Sequence, residues 1–87
     1  MSEYRFVVSV MPRAGILDPQ GRAVEGSLVH LGVAGVHAVR VGRRVELAIT
    51  AADAAAARSV AERLAEELLA NPLIEAWRVE PLGEPVA

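Results

Sequence analysis

Cysteine is absent from this sequence, so neither a disulfide nor a thiolate metal site can hold the chain together. Lysine is absent as well, and all nine basic residues are arginine. Aromatic residues are scarce: Tyr4, Phe6 and Trp77 are the only three. That excludes an RNA-recognition sheet, which stacks bases on aromatic side chains of its central strands. No apolar run approaches the roughly 18–20 residues of a membrane span. Met1 to Val10 has neither the basic start nor the unbroken apolar stretch of a signal peptide, so a cytoplasmic address is expected. A net charge of −2 and a pI near 5.6 argue against a nucleic-acid binder.

What is abundant is apolar. Hydrophobic residues make up 53% of the 87 positions, too many for the single small core such a chain can build. A domain of this size buries only about 60–65% of its unfolded surface. With no covalent staple, the remaining routes to stability are tight packing, self-association or docking onto a larger protein. A homo-oligomer is therefore expected.

The spacing of apolar residues predicts a β-α-β-β-α-β order, that of ferredoxin-like and related α+β domains, with an antiparallel sheet and both helices on one face. Tyr4 to Met11 alternates Phe6, Val8 and Val10 against Arg5, Val7 and Ser9, which is strand spacing. Asp18-Pro19 reads as a helix start, with Asp as N-cap and Pro in the first helical position. Val24, Leu28 and Leu31 continue that helix, Gly32 is placed to end it, and Ile16 and Leu17 could staple its first turn. Val36 to Arg44 and Val45 to Ile49 read as an antiparallel hairpin turning at Gly42-Arg43, with a bulge at Gly42 as the other reading. Thr50-Ala51-Ala52-Asp53 fits a loose capping box before an alanine-rich helix. Ala57, Val60, Ala61, Leu64 and Leu68 form its apolar face, and Asn71-Pro72 stops it. Leu73 to Glu80 is the last strand. One domain over residues 1–81 and a frayed tail over 82–87 follow. The second sheet face is expected to be partly apolar (Val7, Ala38, Ala48) and covered by another subunit.

Chemistry-bearing constellations are few. Ser27 and His30 lie one turn apart without a third partner, and His30 with His37 lacks a third metal ligand. Gly15 and Gly21 bracket the first helix start but match neither phosphate-loop nor dinucleotide spacing. Asp18 would place its own negative charge where an anion would sit. No catalytic, cofactor-binding or metal residues are therefore assigned. Arg40, Arg43 and Arg44 cluster at the expected hairpin tip. They read either as a solvated tip or as a dock for an acidic partner. Trp77 is either core or an interface anchor.

Four segments carry a resemblance. Met11-Pro12-Arg13-Ala14-Gly15-Ile16-Leu17-Asp18-Pro19-Gln20-Gly21-Arg22-Ala23-Val24-Glu25 closely resembles the first motif of the PurS family, where a V/I-L-D-P-Q-G turn opens a helix. Leu31-Gly32 is similar to its helix end. Val39-Arg40-Val41-Gly42 before Glu46-Leu47 looks like its V-R-x-G with E-L. Leu68-Leu69-Ala70-Asn71-Pro72-Leu73-Ile74-Glu75 resembles L-L-A-N-P-V-I-E. The match spans about residues 4 to 80. Ala14, where the family often has Pro, and the alanine-rich second helix depart from the pattern.

The resemblance implies a non-catalytic small subunit of phosphoribosylformylglycinamidine (FGAM) synthase, a dimer or tetramer that bridges the synthetase and glutaminase subunits. ATP and magnesium would then belong to the large subunit. The motif residues Asp18, Pro19, Gln20, Gly21, Arg40, Gly42, Asn71, Pro72 and Glu75 become candidate interface residues. The alternative is a regulatory ACT-like module, sharing this strand order and binding a small amino acid between subunits.

Overall fold

A computed structural model describes residues 1–83. The chain runs β1 (Ser2–Pro12), α1 (Pro19–Leu28), β2 (Arg43–Ala51), α2 (Ala54–Leu64), a π-helical turn (Ala65–Leu69) and β3 (Glu75–Pro81). The α+β class and the antiparallel sheet are as expected, with three strands in the order β2-β1-β3. β1 is central because Phe6, Val8 and Val10, on one of its faces, are apolar and find partners on both sides. Val8 lies opposite Val45 and Val79, Phe6 opposite Leu47, and Val10 opposite Trp77.

Those residues face α2. Its inward stripe is Ala57, Ala61 and, in the π turn, Ala65, all fully buried. Small side chains let the helix approach the sheet closely, so the larger residues expected to face inward are displaced. Val60 and Leu68 are exposed and Leu64 is half-buried. The N-cap of α2 is Asp53, whose carboxylate accepts from Ala56 N at 2.8 Å. Thr50 is not the cap, because β2 continues through Ala51 to pair with Ser2. Trp77 packs half-buried at the edge of this core.

The expected strand from Val36 to Arg44 splits. Arg43 and Arg44 open β2, but residues 36–42 join no ladder and there is no hairpin turn. The physical reason is that two backbone donors of this segment are taken by carboxylates of α1 and its N-cap. Val39 N donates to Glu25 Oε1 at 2.7 Å and Val41 N to Asp18 Oδ2 at 2.8 Å. The segment also turns out of extended geometry at Ala38, whose φ is +57°.

Helix α1 is consequently not a second layer on the sheet face. Gly21 is its only buried residue. Together with its flanking loops it forms an arm over residues 13–42, and Gly32 ends its last turns in the left-handed conformation, as expected (φ +69°). Leu17, at 67% exposure, makes no staple. The arm stretches the molecule to 52 × 34 × 15 Å, with a radius of gyration of 16.5 Å. A compact chain of this length would have about 12 Å.

The open sheet face is charged where an apolar layer was expected. Arg5–Glu3, Arg44–Glu46 and Arg78–Glu80 pair along the three strands. Val7 is buried between its cross-strand neighbours Glu46 and Glu80, whose aliphatic stems can cover it. Ala48 is exposed, and Ala38 is not on the sheet at all. Of the expected tail, Leu82 is tied to the sheet through Leu82 N–Arg5 O at 2.9 Å. Residues 84–87 lie outside the described part.

Candidate functional site: the joint between arm and sheet

The turn Ile16 to Gly21 is where the arm is built. Asp18 caps α1 through Oδ1, which accepts from Gly21 N at 3.0 Å, while Oδ2 holds Val41 N. Pro19 occupies the first helical turn, where its missing N–H leaves nothing unsatisfied. Gly21 is required by space: a Cβ there would run into the Val39 carbonyl oxygen and the Asp18 carboxylate. These donors hold the Asp18 carboxyl below its ordinary pKa, with Gly21 N first, Val41 N next and the nearby Arg40 charge adding to them.

A second set of contacts fixes the arm's root. Gly42 passes so close to β1 that a Cβ would meet Val10 O and Met11 Sδ. Beside it, the Arg43 guanidinium makes a two-pronged pair with Glu75 at 2.7 and 2.8 Å and donates to Leu69 O. Glu75 Oε1 also accepts from Asn71 N at 2.7 Å, and the Asn71 carbonyl accepts from Ile74 N and Glu75 N. The Arg43 bond, followed by that from Asn71, lowers the Glu75 pKa, and the same bond raises that of Arg43. Pro72 offers its carbonyl to Arg13 Nε at 3.1 Å, and Arg13 N donates to Ile74 O at 2.8 Å.

The fold therefore brings together residues far apart in sequence. Asp18, Pro19, Gln20, Gly42 and Glu75 line one cleft of about 520 Å³ with Ile16, Leu17 and Ile74. Gly21 forms the buried floor of the joint, and Asn71 and Pro72 brace β3 beside it. Arg40 lines a different cleft, which shares Ile16, Leu17 and Asp18 with the first. The expected cluster of Arg40, Arg43 and Arg44 does not exist as a unit: Arg43 is paired with Glu75 and Arg44 with Glu46. Sequence reasoning missed Glu25, Arg13 and Arg43 as structural ties. The available signal for Glu25 was its place two helical turns after Asp18, on the same side of α1.

Among the described residues no three His, Cys, Asp or Glu side chains group as a metal site. The Ser27 hydroxyl bonds back to Ala23 O, and His37 sits over Gly35 O.

The family model for PurS, phosphoribosylformylglycinamidine (FGAM) synthase, matches residues 5–83. The chain belongs to the PurS family. It is 49% identical over 75 residues to the phosphoribosylformylglycinamidine synthase subunit PurS of Mycobacterium leprae, covering 86% of this chain and 91% of that one. Against the PurS subunit of Bacillus subtilis, identity is 39% over 77 residues, with 88% and 90% covered. Among solved structures, a chain of PurLQS from Thermotoga maritima superposes with a TM-score of 0.86 at 29% identity, covering 94% and 100%. PurS of Thermus thermophilus superposes at 0.77 with 38% identity, covering 93% and 99%. The three-stranded antiparallel sheet with two helices thus matches PurS structures, and three of the four motif segments, all but Leu31-Gly32, supply the residues of the joint in this chain.

Proposed function

We propose that this chain is the non-catalytic small subunit of FGAM synthase, working in the cytoplasm in de novo purine biosynthesis. In that reaction formylglycinamide ribonucleotide, glutamine and ATP give FGAM, glutamate, ADP and phosphate. The chain bridges the ATP- and magnesium-using synthetase subunit and the glutaminase subunit, and it does so as a homodimer or homotetramer of single α+β domains spanning residues 1–81. The family match over residues 5–83 carries the reading. The PurLQS structure matched over the whole of its similar chain supports the assembly.

The shape of the molecule agrees with a life in complexes. Its accessible surface is 6322 Å². That exceeds by about 1,400 Å² the roughly 4,900 Å² of a compact monomer of this mass. A standard interface buries about 800 Å² per partner, so the excess is of the size that association removes. Among the described residues, seven of the twelve large exposed apolar ones lie on the arm: Ile16, Leu17, Val24, Val29, Leu31, Val33 and Val36. The motif residues are the better candidates for subunit contact where they leave the joint's own bonds, which singles out Gln20 and the surrounding apolar rim.

The test is reconstitution. The chain, mixed with the synthetase and glutaminase subunits in the presence of glutamine and nucleotide, should elute with them and support glutamine-dependent FGAM formation. Equal glutamine-dependent turnover with and without the chain, and no co-elution, would overturn the proposal. A chain instead stabilised thermally by an amino acid alone would favour the ACT-like regulatory module.

A further inference from the structure

The nine arginines divide unevenly. Six are ion-paired within the chain: Arg5, Arg43, Arg44, Arg58, Arg63 and Arg78, each with a glutamate. Arg13, Arg22 and Arg40 have no such partner among the described residues, and these three line one cleft. It lies between the first turn of α1 and the segment returning to β2, and holds about 600 Å³. Two carboxylates share it, but both are turned to the backbone. Asp18 accepts from Gly21 N and Val41 N, and Glu25 accepts from Val39 N. Arg13 spends only its Nε, on Pro72 O.

We propose that this cleft receives an acidic segment of another subunit of the FGAM synthase assembly, whose carboxylates pair with Arg13, Arg22 and Arg40. The inference rests on the function proposed above and deepens it. Three guanidiniums against two carboxylates leave a single net positive charge, which suits separate carboxylates better than one multiply charged anion. A phosphate would meet three cations and two anions at once. An extended peptide can place one carboxylate on each planar fork, the geometry that arginine favours. Ile16 and Leu17 form an exposed apolar wall of the same cleft, ready for apolar side chains flanking the acidic ones.

The test measures binding of the chain to the mixed synthetase and glutaminase subunits by biolayer interferometry at low and high salt. Arg22→Glu and Arg40→Glu, singly and together, should weaken binding, the double variant by roughly tenfold or more with a flatter salt dependence. Arg78→Gln, on the sheet's open face, serves as the control and should stay within about twofold. Circular dichroism melting of each variant guards against unfolding, and Arg40→Lys should recover only part of the affinity. A double reversal that binds like wild type at both salts would overturn the inference while leaving the function intact. Saturable binding of inorganic phosphate that requires Arg22 and Arg40 would overturn it too, by assigning the cleft to a free anion. A wild-type chain that binds neither subunit would overturn the function and the inference together.

Discussion

Two glycines in one helix should respond to the same substitution with opposite signs. Gly21 and Gly26 both lie in α1, and in an exposed helix Gly→Ala is worth about 1 kcal/mol of stability. At Gly26 nothing approaches within 4 Å of an added Cβ, so Gly26→Ala should collect that gain. At Gly21 the methyl would collide with the Val39 carbonyl oxygen and the Asp18 carboxylate. Neither can swing aside cheaply. The carbonyl belongs to backbone fixed by the Val39–Glu25 and Val41–Asp18 bonds, and the carboxylate is the helix cap. Overpacking of this kind costs about 1–3 kcal/mol. Set against the propensity gain of about 1 kcal/mol, the net effect is a loss of about 1 kcal/mol. The two variants should therefore differ by about 2 kcal/mol, near 10 °C in Tm for a domain of this size if the arm melts with the sheet.

Amide hydrogen exchange separates that case from local opening of the arm. In Gly21→Ala the Val41 and Val39 amides should exchange faster, while amides of central β1 keep their rates. In Gly26→Ala the same two amides should be unchanged or slower. Equal stability of the two variants, with Val41 protected in both, would refute the close approach on which the joint is built.

Other perturbations probe the rest of the structure. Gly42→Ala drives a methyl into Val10 O and Met11 Sδ, and should cost about 1–3 kcal/mol in denaturant unfolding; a neutral result would mean that the arm's root has slack. Val8→Ala removes two methyl groups at a fully buried position, for a loss of about 2–3 kcal/mol at an unchanged m-value, and a loss under half that size would indicate a collapsible core. Asp18 and Glu75 both have depressed folded pKa values, so their contribution to stability is fully present above their ordinary values of 3.8 and 4.5 and is lost as pH falls through the lower folded values. Tm should therefore be level from pH 7 to about 5 and fall below 4 more steeply in wild type than in Asp18→Asn; identical acid limbs would remove Asp18 from the linkage.

The sequence pattern disclosed the parts of the fold that are governed by local rules. β1 was visible because Phe6, Val8 and Val10 sit on one face, and the start of α1 because Asp18-Pro19 is a cap followed by a first-turn proline. The placement of α1 was not visible, because its apolar spacing is the same whether that face meets the chain's own sheet or another molecule. The stripe of α2 was misjudged for a related reason. Ala57, Ala61 and Ala65 hide more completely than Val60 or Leu68, since a close helix–sheet approach rewards small residues. Residues 36–42 carry a true strand pattern, yet alternation says only that neighbouring side chains point opposite ways. It does not say what accepts the backbone donors.

Here carboxylates of α1 and its N-cap accept two of them, and that choice explains the chemistry of the turn. A helix cap needs one acceptor oxygen, and many residues provide it. This cap needs two, one aimed at Gly21 N and one at Val41 N, 23 residues from Asp18. Serine has a single side-chain oxygen. Asparagine exchanges one acceptor for a donor, so one of the two backbone amides would face an N–H group. Asp alone among the common caps meets both, Pro19 starts the helix without an orphaned donor, and Gly21 allows Val39 to come close. Gln20 is different in kind. Its side chain makes no hydrogen bond among the described residues, and it stands on the rim of the cleft beside Gly42 and Glu75. Three residues of the turn thus serve the arm's own geometry, and the fourth is left facing outward, toward whatever the arm meets.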